Sequence, residues 1–270
     1  MVTQSQMYEG WSIRQTGPPD ADCAVLLLPG ALASAPFYDD LLAEPAMTRA
    51  SVRFVATTLP GYAGTPPLAD LSMENIARGA AKVAVEFGCD VVVGHSLGAN
   101  VALEMAGAGE FHGPLVLLSP SFSRQDESKF PRTLDRLSRV LGHLPYTLMF
   151  KMIGPAMKSS LPPARRDPLI SEFKKNDPRD VRDGTHLYLA YLDRHGSLVS
   201  RLGDAGVEAW VVFGAHDDVG LSDHERQGLE ACDLVTLVTI PDTGHFALVD
   251  KPARVADIVL EAMSSVGSPD

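Results

Sequence analysis

Val91-Val-Val-Gly-His-Ser-Leu-Gly-Ala99 decides how this chain is read. Three β-branched residues without polar alternation suit a short central strand buried on both faces, and the residues from about Leu97 to Ala106 suit a helix. Between the two, Gly94-His-Ser96-Leu-Gly98 matches G-x-S-x-G in the context that gives this pattern mechanical meaning, a sharp strand-to-helix reversal. The reversal holds the serine in a strained backbone conformation, and the flanking glycines remove Cβ atoms that would strike neighbouring backbone. Ser96 is then presented above the sheet beside a helix N-terminus, where N–H groups favour developing negative charge.

A serine hydroxyl is a weak nucleophile until a base takes its proton, and a histidine base needs a carboxylate to set its tautomer. Of the eight histidines, His245 is best placed, in the turn-rich Pro241-Asp-Thr-Gly-His-Phe246 after the last strand-like run. Ligand-facing residues of open α/β sheets collect at such strand ends. His224 falls inside a surface-helix pattern, His216 adjoins the candidate acids and His95 is the variable position of the reversal, so these three are expected to be structural. The acid is expected after the preceding strand, where Phe213-Gly-Ala-His-Asp-Asp218 offers Asp217 and Asp218. The alternative route, after the earlier strand, is poor: Ser119-Pro-Ser-Phe-Ser-Arg124 carries no carboxylate before Asp126.

Outward from the motif the same alternation recurs. Ala24–Leu28 and Val52–Ala56 are apolar runs bounded by turn residues and separated by a helix-like stretch, Phe37 to Ala43. Ser72 is expected to cap a helix towards Phe87, with Asn75 in place of the usual Glu or Gln and Gly88 closing it. After the strand Leu115–Leu118 the pattern lapses for some eighty residues rich in Pro, Arg and Lys, then returns. Trp210–Phe213, a helix over Asp223–Ala231, Leu234–Ile240 and a helix from about Pro252 to Met263 complete it. Repeated strand-helix units imply an α/β fold with a mostly parallel, doubly wound sheet. Residues 1–120 and 206–270 would form the core and 121–205 an insertion.

Composition limits the function classes. A net charge of −11 over 270 residues disfavours a nucleic-acid partner, whose affinity rests on Lys and Arg neutralising phosphates. The charge is uneven: residues 121–205 carry 15 Lys/Arg against 10 Asp/Glu, a net +5, leaving −16 elsewhere. No segment supplies the roughly 18 consecutive apolar residues of a membrane span. The first ten residues lack the basic and apolar regions of a secretory signal. Cys23, Cys89 and Cys232 are odd in number and widely spaced, so buried reduced thiols and a cytoplasmic setting are expected. There is no His-Glu-x-x-His, no Cys pair and no clustered metal-ligand spacing.

The chain resembles the α/β-hydrolase superfamily along essentially its whole length. The resemblance rests on G-x-S-x-G at Gly94–Gly98, on Gly214-Ala-His-Asp217 matching the family's Gly-x-x-Asp, and on Gly244-His-Phe246 with Pro252 shortly after. Leu59-Pro-Gly-Tyr-Ala-Gly64 is similar to the family's Pro-Gly-x-Gly loop. It implies a Ser96–Asp217–His245 triad, with Asp217 preferred over Asp218 by its spacing from Gly214. It also implies an oxyanion hole built from the Leu97 and Ala31 N–H groups, although the family's His-Gly is replaced here by Pro29-Gly30. The insertion falls where members place a helical cap, and Met149, Met152 and Met157 are expected to line an acyl pocket beneath it. Arg165-Arg166 and Lys174-Lys175 would steer an acidic substrate or simply form a solvated face.

The activity implied is carboxylesterase-like hydrolysis of a small-molecule ester or related acyl compound through an acyl-Ser96 intermediate, with no cofactor. Serine at position 96 argues against haloalkane and epoxide chemistry, which uses an Asp nucleophile in this family. Carbon–carbon bond hydrolysis and lactone opening use the same triad and are alternatives. A non-catalytic small-molecule binding protein on a hydrolase fold is the alternative of another class.

Overall fold

The computed structural model describes residues 3–157 and 161–266. Eight strands form one sheet in the order β1-β2-β4-β3-β5-β6-β7-β8. The N-terminal hairpin, β1 (Thr3–Tyr8) and β2 (Trp11–Thr16), turns at Glu9-Gly10, both at positive φ, and β2 pairs antiparallel to β4 (Val52–Thr58). Sequence patterning does not single this hairpin out, because Gln4, Ser5, Gln6, Arg14 and Gln15 leave only Trp11 and Ile13 fully buried, with Tyr8 partly buried against the core. Every other pairing is parallel, through β3 (Cys23–Leu28), β5 (Val91–His95), β6 (Leu115–Leu118), β7 (Ala209–Gly214) and β8 (Val235–Ile240).

Successive side chains of a strand point to opposite faces, and here both faces are covered. Leu26 and Leu28 of β3, Val92 of β5 and Val211 of β7 enter one core layer. Val25 and Leu27, Val91 and Val93, and Trp210 and Val212 enter the other. The stretch Phe37 to Ala43 is a 3₁₀ turn over Ala35–Tyr38 running into α1 (Asp39–Ala43), with α2 (Pro45–Arg49) after it. Next, α3 (Met73–Glu86) and α4 (Leu97–Gly107) lie on the first layer's side. Ser72 does precede α3, but its hydroxyl donates to Asp70 Oδ2 at 2.9 Å instead of capping the helix, and Asn75 Nδ2 reaches back to Asp70 O at 2.8 Å.

Between β6 and β7 run α5 (Lys129–Leu141), α6 (Leu144–Met157), α7 (Pro163–Phe173), α8 (Pro178–His195) and α9 (Val199–Gly203). The chain closes through α10 (Asp223–Glu230), whose Ser222 and Glu225 form a reciprocal capping box, α11 (Ala247–Asp250) and α12 (Pro252–Ser264) against the second layer. Helix α4 is buried along almost its whole length, Leu97 to Ala106. A helix enclosed on all sides carries apolar residues around its full circumference, which Leu97-Gly-Ala-Asn-Val-Ala-Leu does apart from Asn100.

Cys23, Cys89 and Cys232 are free and partly buried. Burial first, with Asp90 nearby, pushes the Cys23 thiol up to about 11.

Candidate active site

Parallel strands in register bring their carboxyl ends to one level, and the candidate residues follow from that. His95 pairs with Leu118, and Leu118 with Val212. The residues just beyond β5, β6, β7 and β8 therefore open onto the same edge. Ser96 stands at φ 52°, ψ −119°, a left-handed conformation for a non-glycine residue, between β5 and the first turn of α4. Its N–H is spent on Leu118 O at 2.8 Å. A Cβ added at Gly94 would lie 2.4 Å from Gly98 O, and one at Gly98 would lie 2.1 Å from Leu28 O. No side chain fits at either position, so the two glycines of the pattern are required by close backbone approach.

Beyond β7, Asp217 turns inward with a side chain only 1% exposed, whereas Asp218 is exposed. Nδ1–H of His245 donates to Asp217 Oδ1 at 2.9 Å. The Asp217 carboxylate also accepts from Ser119 Oγ at 2.5 Å and from the Val219 N–H at 2.9 Å. Burial alone would raise this carboxyl's pKa; the His245 hydrogen bond and charge, Ser119 and Val219 outweigh it and hold Asp217 below the ordinary value. The balance at His245 has the same form. Burial would lower its pKa, but the bond to Asp217 and that carboxylate's charge, with Glu127 and Asp218 further out, hold it above the usual histidine value.

Asp126, the alternative acid, is buried elsewhere. It accepts the Phe122 and Ser123 N–H groups at 3.1 and 2.8 Å, and burial with the adjacent Glu225 pushes it up to about 7. His224 is exposed on α10, and His216 is exposed with its N–H donating to Thr243 O at 3.0 Å.

His95 is buried, and its Nε2–H donates to His245 O at 2.8 Å, tying the loop after β8 to the residue preceding Ser96. Its ring lies 4.9 Å from that of His245 and 5.0 Å from Phe37. Burial, reinforced by His245, lowers its pKa to about 3, so the ring is neutral across the working range.

The loop after β3 passes beside Ser96: a Cβ added at Gly30 would lie 3.1 Å from Ser96 Cβ. Ala31 is exposed, Leu97 begins α4, and neither N–H donates to a protein acceptor among the described hydrogen bonds. In the absence of the family's histidine the loop is held by the helices after β6. Buried Asn176 donates from Nδ2 to Leu32 O at 2.9 Å and accepts the Ala63 N–H at Oδ1 at 2.8 Å. Ser34 Oγ also donates to Glu172 Oε2 at 2.7 Å.

Ser119, Asn176 and Glu127 were not singled out by sequence. Ser119, at φ 54°, precedes a proline at a strand end, which is a local signal. Asn176 lies 144 residues from Leu32, and no local pattern reports such a bond.

Among the expected pocket residues, Met149 is partly buried against the core, whereas Met152 is exposed. Helical spacing puts Met149 and Ile153 on the inward face of α6, which leaves Met152 with Leu144 and Leu148 on the exposed stripe. Met157 ends α6, and its side chain lies outside the described residues. One member of each basic pair is held by a carboxylate. Arg165 is bound to Asp40 Oδ2 at 2.8 Å and donates to Pro36 O, and Lys175 is bound to Glu172 Oε1 at 2.6 Å.

The model of the alpha/beta hydrolase family matches residues 25–258. Among curated proteins nothing matches this chain. A solved hydrolase from Pseudomonas aeruginosa is 17% identical at a TM-score of 0.76, covering 97% of this chain and 98% of its own. A thermophilic esterase from Thermogutta terrifontis is 17% identical at 0.72, covering 99% and 100%. An N-acyl homoserine lactonase is 16% identical at 0.73, covering 100% and 99%. At these identities the likeness extends to the fold alone, while the family model spans most of the sequence: the chain belongs to the alpha/beta hydrolase family.

Proposed function

We propose that the protein hydrolyses a carboxylic ester or related small acyl compound through a covalent acyl-Ser96 intermediate. The observation that carries the reading is the hydrogen bond from His245 Nδ1–H to Asp217, 2.9 Å long, on a loop that His95 ties to the Ser96 reversal. With Nδ1 protonated and so engaged, Nε2 is the ring nitrogen left to act as base.

In the proposed reaction Ser96 Oγ attacks the acyl carbon and its proton passes to His245 Nε2. The Leu97 and Ala31 N–H groups receive the oxyanion, each donor worth roughly 2.7–4 kcal/mol in such sites. The imidazolium then protonates the leaving oxygen, and water repeats the sequence on the acyl enzyme. Asp217 stays ionised throughout, as its depressed pKa requires. The helices between β6 and β7 would act as a cap that shapes the acyl pocket, and the partial burial of Met149 against the core supports a part for it there.

The test is a fluorophosphonate probe followed by a panel of p-nitrophenyl esters, lactones and vinylogous diketone acids. Wild type should label at Ser96 and turn over an ester. Ser96→Ala should lose labelling and several orders of magnitude in turnover with its fold intact. Undiminished turnover by Ser96→Ala would overturn the nucleophile. Preference for the diketone acids would move the activity to carbon–carbon bond cleavage by the same residues.

A further inference from the structure

Exposed large apolar side chains are concentrated on one part of this molecule. Phe130, Leu137, Val140 and Leu141 of α5 and Leu144, Leu148 and Met152 of α6 are all exposed, Val140 to 85% and Leu148 to 63%. Elsewhere among the described residues only Met7, Val85, Leu234 and Val266 are comparable, and they are scattered. Scattered apolar residues need no explanation, whereas a contiguous set does.

The set is ordered by helical geometry. At 100° per residue, Phe130, Leu137 and Leu141 fall on one stripe of α5, within about 40° of one another, and Val140 protrudes about 60° to one side of them. The buried face adjoins that stripe, beginning at Leu134 and continuing through Ser138 to Asp135. Leu144, Leu148 and Met152, four apart, form one stripe of α6. The two helices pack together across a turn at Gly142 (φ 62°).

Cations flank these stripes. A groove beside α5 is lined by five cations, Arg124, Lys129, Arg132, Arg136 and Arg139, against two carboxylates, Asp135 and Asp193. Arg124 and Arg139 are bound to buried Asp135, but Lys129, Arg132 and Arg136 have no carboxylate within ion-pair distance among the described residues. Residues 121–205 carry +5 on a chain that is otherwise −16. An anionic surface is therefore received better by this segment than by the rest of the molecule.

We propose that the α5–α6 hairpin is an interfacial docking surface for an anionic lipid bilayer, its apolar stripes entering the headgroup and outer acyl region while Lys129, Arg132 and Arg136 meet the headgroups. Singly protruding Leu, Val and Phe side chains beside unpaired Arg and Lys are the composition of a helix lying in a membrane interface. The surface does not span: no described helix is long and apolar enough to cross a membrane. The inference stands apart from the acyl-Ser96 reading, since it concerns attachment and is tested without turnover.

The full chain is sedimented with vesicles of equimolar phosphatidylglycerol and phosphatidylcholine, and with vesicles of phosphatidylcholine alone. Wild type is expected to partition onto the anionic vesicles, weakly onto the neutral ones, and less as salt rises. Arg132→Glu with Arg136→Glu should lower the anionic partition coefficient about 30-fold or more, at roughly fivefold per lost cation. Val140→Ser with Leu148→Ser should lower it about tenfold or more. Met7→Ser with Val85→Ser, exposed apolar residues elsewhere, should leave it unchanged, and far-UV circular dichroism with the thermal midpoint checks that each variant is folded. Absence of wild-type binding to the anionic vesicles would overturn the proposal, as would equal binding by folded variants. Sedimentation velocity without lipid supplies the remaining outcome. A dimer dissolved by Val140→Ser with Leu148→Ser would assign the face to a second copy of the chain and also overturn it.

Discussion

His245 is held between opposing influences, and its titration reads out which prevails. Burial favours the neutral ring, while Asp217 at 2.9 Å favours the charged one and wins. In the proposed reaction the neutral ring is the active form, so kcat/KM should rise with pH through a midpoint above the ordinary histidine value of about 6.5. Asp217→Asn removes the charge that raises this midpoint and leaves burial unopposed. The limb should move to lower pH while turnover falls about 10⁴-fold through loss of the required tautomer. Asp218→Asn, at an exposed position, should lose far less. An unmoved limb in Asp217→Asn would assign the ionisation to another group. At this scale Ser96 and the two glycines beside it were legible because the steric demand of the reversal is met within five residues. The Ser119 bond to Asp217, between residues 98 apart, has no counterpart in local sequence.

Elements differ in legibility for a related reason. The central strands stood out because both their faces are buried, so Val91-Val-Val93 needs no polar positions. Strand β2 hid because only Trp11 and Ile13 are fully buried, and the helices after β6 hid because their packing partners are far away in the chain. The loop after β3 shows how such distant partners work. Its sequence lacks the family's histidine, yet Asn176, three residues after α7, ties Leu32 to Ala63. Asn176→Ala leaves a carbonyl and an N–H unpaired in a largely buried place, at about 1–3 kcal/mol each. If this clamp sets the position of the Ala31 N–H, the loss appears where the oxyanion does. Turnover should fall roughly tenfold or more with little change in KM. Asn176→Asp, which keeps the acceptor for Ala63 and loses the donor to Leu32, should fall between. A rise in KM with kcat intact would make Asn176 a part of the pocket wall instead.

Across the whole molecule, the helices after β6 are fastened to the sheet layers by polar bonds made at buried positions. Glu104 of α4 is 1% exposed. It accepts Arg201 Nε and Nη2 at 2.6 and 2.7 Å from α9, and the Tyr191 hydroxyl at 2.7 Å from α8. Nearby, Tyr188 donates to Asn100 Oδ1 at 3.1 Å, and Asn100 Nδ2 donates to Ser121 O at 2.7 Å. A bidentate guanidinium at a buried carboxylate is the strong form of ion pair, but the cost of desolvating both charges offsets much of its attraction. Removing one partner is therefore much more damaging than removing both. Glu104→Ala should cost about 3 kcal/mol or more, because it strands the partly buried Arg201 charge and the buried Tyr191 hydroxyl. For a chain of 270 residues a loss of about 3–5 kcal/mol corresponds to a midpoint lower by roughly 5–9 °C. Glu104→Leu combined with Arg201→Met should recover most of the loss, since an apolar pair of similar volume fills the same space without stranding a charge. Urea unfolding of the two variants beside wild type makes the comparison. A double variant no more stable than Glu104→Ala would show that the pair contributes net stability beyond the charge it would strand.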